Sequence, residues 1–225
     1  MRDFLSFILL LGGSLLAAHI TEISGLDFWL QKHFFIAPQA WFIDGADPFL
    51  KMIFYKGPKQ FLMTSLILGL LYTFYDMYQY GIKTWHRRFF FFISCMIAVP
   101  LIISLLKEIT FVYCPGQLTD FGGPKTFREL IDFRNVPAFE GRGKCFPAGH
   151  ATTGFALMSL YYMFENKWTK RFLLLLGLTL GWIFSFYQIA KGAHFLSHSI
   201  ATMGLSWCVI WSIKKIFDRF GAFGK

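Results

Sequence analysis

The segment Lys144-Cys145-Phe146-Pro147-Ala148-Gly149-His150-Ala151-Thr152-Thr153-Gly154 stands where a long polar loop runs into an apolar stretch. Pro147 and Gly149 interrupt the backbone just before a helix can begin, and Thr152 and Thr153 are short polar residues close to that start. The first N–H groups of a helix lack intrahelical acceptors and carry positive partial charge, so such an end binds phosphate. His150 stands at this anion-binding end. A second segment, Gly192-Ala193-His194-Phe195-Leu196-Ser197-His198, repeats the arrangement before another apolar run. Two helix starts that carry histidine predict a phosphate site at one edge of a helical bundle.

Composition places that bundle in a membrane. The chain has 225 residues, of which 55% are hydrophobic and 20% aromatic, with a mean hydropathy of +0.48. An ordinary soluble domain is less apolar. The length suits one compact membrane domain over residues 1–225. The net charge of +9 comes from Lys and Arg scattered between apolar runs. That pattern argues against nucleic acid and for membrane lipids as partners. The four cysteines form no CxxC or zinc-finger spacing.

Apolar runs cover residues 4–20, 61–80, 89–106, 151–164, 172–189 and 199–213. The expected fold is an all-α polytopic membrane bundle of six transmembrane helices. The fourth and sixth runs are short and need their flanks or a thin bilayer, and Pro100 predicts a kink in the third. Arg2, Ala17 and Ala18 also suit a signal peptide, but only a retained first helix brings the count to six. Residues 21–59 mix Asp27, Asp44 and Asp47 with Phe28, Trp29, Trp41 and Phe42. They read either as amphipathic structure in the membrane interface or as a loop packed on the bundle.

With six spans, the basic groups Lys83/Arg87/Arg88, Lys167/Lys170/Arg171 and Lys214/Lys215/Arg219/Lys225 fall on one side, together with Arg2. The positive-inside rule makes that side cytoplasmic. Segments 21–59, 107–147 and 188–198 then lie outside, so both histidine segments share the outer face.

Three histidines (His150, His194, His198) and four cations (Lys107, Arg142, Lys144, Lys191) gather at that face. Ionisable groups at membrane depth are costly and point to function. For phosphoryl transfer, one imidazole attacks phosphorus and another donates a proton to the leaving oxygen. Cations and backbone N–H groups stabilise the phosphoryl oxygens. The scheme needs no metal or other cofactor.

The order Lys107…Cys114-Pro115, Pro147-Ala148-Gly149-His150, and Tyr187-Gln188…His194…His198 resembles the type 2 phosphatidic acid phosphatase superfamily. Its signature reads K-x6-R-P, P-S-G-H and S-R-x5-H-x3-D. The resemblance covers Lys107 to about Gly204 and implies a six-span lipid phosphatase. It implies His194 as nucleophile, His150 as general acid, and Lys107 and the Gly149 N–H as phosphate ligands. Five motif positions depart: Cys114 and Gln188 stand for arginines, Ala148 and Tyr187 for serines, and His198 for aspartate. Lys191, Arg142 or Lys144 supplies charge in place of the arginines, without their bidentate geometry. His198 lies one helical turn after His194 and orients it by accepting its Nδ1–H. A neutral His198 brings no negative charge, which Asp120, Asp132 or Glu140 supplies instead.

Two other readings stand beside this one. His150, His194 and His198 make a three-histidine metal site with an open position, hence a metal-dependent hydrolase. Alternatively, a degenerate relative binds a lipid phosphate without turnover. Cys114 and Cys145 border the motifs in an oxidising outer compartment, as a disulfide or as two thiols. Cys95 and Cys208 lie within apolar runs and read as reduced packing residues. The resemblance and the size imply a bacterial inner membrane protein with a periplasmic site. Its substrate is then lipid A, an isoprenyl diphosphate or a phospholipid precursor, and phosphotransfer to a second lipid uses the same intermediate. The oligomeric state is left open.

Overall fold

In the computed structural model, which describes residues 2–38, 40–130, 141 and 143–223, the apolar runs wind into helices. Helix α1 (Arg2–Ile23) leads through a Gly25 turn into α2 (Leu26–Phe34). A two-stranded hairpin, β1 (Phe35–Ala37) and β2 (Ala40–Trp41), follows. Helix α3 (Pro48–Lys51) starts where Asp47 accepts from the N–H groups of Phe49 and Leu50. A π turn (Met52–Lys56) joins it to α4 (Gly57–Tyr80). Then come α5 (Thr84–Ile109), α6 (Thr152–Ala156), α7 (Lys167–Ala190) and α8 (Leu196–Arg219).

Among the described residues, four helices are long and apolar enough to cross a membrane: Pro48–Tyr80, Thr84–Ile109, Lys167–Ala190 and Leu196–Arg219. A fifth is added if α1 and α2, bent by 67°, count as one. The sequence pattern predicts six. The difference lies at residues 149–162, where a 3₁₀ turn, α6 and a second 3₁₀ stretch (Leu157–Tyr162) follow one another. The reason for this segment's place is close packing. A Cβ on Gly154 would come within 2.3 Å of the Gly181 nitrogen, so α6 and α7 touch backbone to backbone. Helix α5 runs on through Pro100, although proline withdraws one ladder donor.

Phe91, Cys95, Val99, Phe155, Met158 and Ile210 form the main core, where α5, α6 and α8 meet. Cys95 and Cys208 are free and buried. A second cluster, Tyr113, Leu118, Phe121 and Phe195, packs with Phe28, Phe35 and Trp41. Segment 21–59 therefore includes aromatic residues packed onto the bundle. Helix α4 stands apart: of its side chains only Thr73 and Asp76 are buried, and a cleft opens beside it.

Candidate active site

Helix α7 ends at a tight turn. Gly192 adopts φ 70°, a left-handed conformation suited to glycine. Its N–H donates to Ile189 O and that of Ala193 to Gln188 O. The Trp41 ring fills the space beside Gly192, 2.2 Å from where a Cβ would stand. His194 follows, and α8 starts at Leu196. Asp27 on α2 accepts from the Ser197 N–H at 2.9 Å, capping α8. Gln31 on the same helix donates to Ile189 O at 2.8 Å. One short helix thus ties down both ends of the turn carrying His194. The sequence reading missed this function of Asp27 and Gln31. Their only local signal is a four-residue spacing that puts two polar groups on one face.

The His150 segment is fastened differently. Cys145 is bonded to Cys114 as a disulfide across 31 residues, and its N–H donates to Val112 O. Thr110 donates to Phe146 O. The Ala148 N–H donates to Thr202 Oγ1 at 2.7 Å, and that hydroxyl donates to His198 O. At Gly149 a Cβ would sit 3.4 Å from Lys107 Nζ, so the ammonium lies close beside this backbone, within ordinary contact distance.

These supports bring three imidazoles together. The His150 and His194 ring centres are 5.9 Å apart, and those of His194 and His198 5.8 Å. His194 is 2% exposed and His198 1%. Nδ1 of His194 lies 3.3 Å from Cys145 Sγ. A disulfide sulfur has no proton to give, so the neutral ring carries its own on Nδ1 and keeps the Nε2 lone pair. This corrects the expectation for His198. Its ring stands edge-on to His194, it bonds to the Cys145 backbone, and its Nδ1 is buried without a partner.

Charge around the rings is positive. Burial, then His198, Lys107, His150 and Lys191, hold His194 well below the usual histidine range. Burial, then the Lys191, Lys107 and Lys59 ammoniums, push His150 down to about 4. Both rings are neutral at pH 7. Burial and Lys51 also lower Lys191, whose Nζ lies over the Tyr187 ring.

A cleft of about 350 Å³ opens beside His150. Lys59, Lys107, Gly149 and His150 line its polar part, and Leu62, Leu66, Met96, Pro100 and Phe184 its apolar part. The Tyr55 ring packs 5.0 Å from that of His150. Tyr55 and Lys59 are site residues the sequence reading did not find, although their spacing matches one helical face.

The other expected residues divide. Gln188 is 1% exposed, with both side-chain polar atoms unpartnered. Lys144 is exposed and pairs with Glu108. Asp120 is also exposed. Arg142, Asp132 and Glu140 lie outside the described residues. For a metal, the donors that converge among the described residues are Cys145, His194 and His198, within 4.8 Å of one another. The Cys145 sulfur is committed to the disulfide, and His150 is not in that group. With lysines on the same rings, the site fits an anion better than a cation.

Among known proteins, a family model described as the PAP2 superfamily matches residues 88–222. That span contains all three motif segments, and the chain belongs to this superfamily, the type 2 phosphatidic acid phosphatases. No curated protein and no solved structure gives a match.

Proposed function

We propose that this PAP2-superfamily chain is a membrane phosphatase that removes phosphate from an amphiphile through a phosphohistidine on His194. Family membership supports phosphatase action on phosphate esters. One observation carries the finer reading: the ring centres of His150 and His194 lie 5.9 Å apart, and His150 lines, with Lys107 and Gly149, the polar end of a cleft that continues apolar. A phosphoryl group reaching Lys107 and the Gly149 N–H stands next to His150, and a hydrocarbon chain runs along the cleft.

The steps follow from the groups present. The dianionic head draws a proton onto His150, which is neutral only while the site is empty. Nε2 of His194 attacks phosphorus, the bond to the leaving oxygen breaks, and His150 protonates that oxygen. Water then attacks the phosphohistidine. His150 takes its proton, and phosphate leaves with His194 restored. Lys107, Lys191, the Gly149 N–H and the unpartnered Gln188 amide hold the phosphoryl oxygens. Gln188 stands where the family has arginine, so it donates without charge. Among the described residues no carboxylate pairs with His194; the Cys145 sulfur orients the ring but does not neutralise it.

The topology of this reading has six spans, with both termini cytoplasmic and the site periplasmic in a bacterial inner membrane. Residues 151–162 are few for a span, but 3₁₀ winding lengthens them to ~22 Å, which a locally thin bilayer matches. Lipid A, an isoprenyl diphosphate and a phospholipid precursor all fit an outer-leaflet site.

The test is phosphate release from a panel of lipid phosphates, with and without chelator, by wild type and three variants. His194→Ala abolishes turnover and the acid-labile adduct. His150→Ala costs about 10²–10⁴-fold where an alkoxide leaves, and less where phosphate leaves. His198→Ala retains a measurable rate. A chelator-sensitive enzyme without a trappable adduct would sink the mechanism, and a wild type with no turnover would leave only binding.

A further inference from the structure

We propose that Lys59, on the face of α4 that lines the cleft, forms a second anion subsite, so that the preferred substrate carries a diphosphate on an apolar chain. This rests on the phosphatase reading above and names the substrate class for it.

The groups along one helix face stand in a definite order. Tyr55 packs on the His150 ring. Lys59 follows four residues later, then Leu62, Met63 and Leu66, and all five line the cleft. Residues three, four and seven apart share a helix face. The wall contributed by α4 therefore reads ring, cation, hydrocarbon. The opposite wall places Lys107, Gly149 and His150 at the polar end and Met96 and Pro100 at the apolar part. A chain lying against Leu62 and Leu66 directs its head first past Lys59, then to His150, then to His194.

That order assigns two positions for phosphorus. The terminal phosphoryl group sits at His194, held by Lys107 and Lys191. The next group toward the chain sits on the far side of His150, beside Lys59. In a diphosphate this second position is the chain-bearing phosphate, and the oxygen that His150 protonates is the bridge. In a monophosphate the chain begins at that oxygen, and Lys59 faces no anion. Charge agrees. Three ammoniums, Lys191, Lys107 and Lys59, all act on His150. A monoester brings at most two negative charges, whereas a diphosphate monoester brings about three. The substrate step is balanced: water and the lipid diphosphate give orthophosphate and the lipid monophosphate, with His194 regenerated.

The competing role for Lys59 is that of an interfacial anchor reaching toward lipid head groups. An anchor has no reason to distinguish two soluble heads on the same chain. The experiment uses the purified full chain in detergent with farnesyl monophosphate and farnesyl diphosphate. It reads the ratio of kcat/KM for the diphosphate to that for the monophosphate. Lys59→Ala is expected to lower this ratio about 10-fold, the usual effect of one lost charge-assisted hydrogen bond. Lys59→Arg keeps it within about threefold. As a readout independent of turnover, inhibition by methylenediphosphonate weakens in Lys59→Ala more than inhibition by orthophosphate. An active wild type whose ratio is unchanged in Lys59→Ala overturns the subsite and leaves the phosphatase reading standing. A wild type that releases phosphate from neither substrate overturns both.

Discussion

Removing the Cys114–Cys145 bridge should weaken the protein and misplace His194 together. The bridge closes a loop of 31 residues. In the chain-entropy picture this confers about 3.5–4 kcal/mol on the folded state. For a chain of this size, that is about 7–15 °C in Tm. The functional part comes from the contact between Cys145 Sγ and His194 Nδ1 at 3.3 Å. Without the sulfur the ring is free to tilt, and a misplacement of ~1 Å at a reacting group costs about 10²-fold. The Cys114→Ala/Cys145→Ala variant should therefore melt about 7–15 °C lower and lose about one to two orders of magnitude in kcat. Cys114→Ser/Cys145→Ser should melt similarly but keep more activity, because a serine hydroxyl can accept the Nδ1–H. Tryptophan fluorescence on heating, phosphate release and intact mass after alkylation make the measurement. Without reductant two cysteines are alkylated, Cys95 and Cys208; after reduction and unfolding all four are. A protein shown by mass to lack the bridge, yet with unchanged Tm and kcat, would refute both parts.

Other predictions concern charge and packing. With His150 held at about 4 by burial and by Lys191, Lys107 and Lys59, a bound dianion raises it and binding takes up a proton. Tungstate affinity should then rise as pH falls from 8 toward 5, by up to about tenfold per unit; a flat or opposite profile in calorimetry contradicts the site. By the same linkage, the stability due to neutral His150 is full above the unfolded value of about 6.5. It is lost as pH falls through about 4. Gly154→Ala puts a methyl group against the Gly181 backbone. It should cost about 1–3 kcal/mol as overpacking, read as a lower Tm together with lost turnover, since α6 continues from His150; an unchanged Tm rejects the backbone contact. Asp27→Ala removes the cap on α8 and should cost about 1–2 kcal/mol and lower kcat. Asp27→Asn, which keeps an acceptor, should retain most of both, and equal behaviour of the two variants would show that the cap is not what matters.

Much of the site could be read before any fold was known, because its parts are local. Gly149-His150 and His194…His198 each sit at the start of an apolar run, and the structure puts the three rings within 6 Å centre to centre of their neighbours. The orienting role expected of His198 rests on a condition that the fold does not meet. A spacing of four residues puts two side chains on one helical face only if both lie in the helix, and His194 precedes the first residue of α8. Segment 149–162 was legible only in part. Its apolarity matches a span, but a backbone contact at Gly154, set by α7, accompanies its broken winding.

What the chain alone determined is its membrane character, the pairing of two histidine segments and the motif that carries the chemistry. Each of these is a matter of composition, or of spacing within a few residues, and survives in the unfolded chain. Tertiary structure decided which distant groups complete the site. Asp27 reaches Ser197 across 170 residues and Gln31 reaches Ile189 across 158, while Tyr55 and Lys59 come to His150 from a separate helix. No period or motif links such positions, because their contact exists only after α2, α4, α7 and α8 have packed.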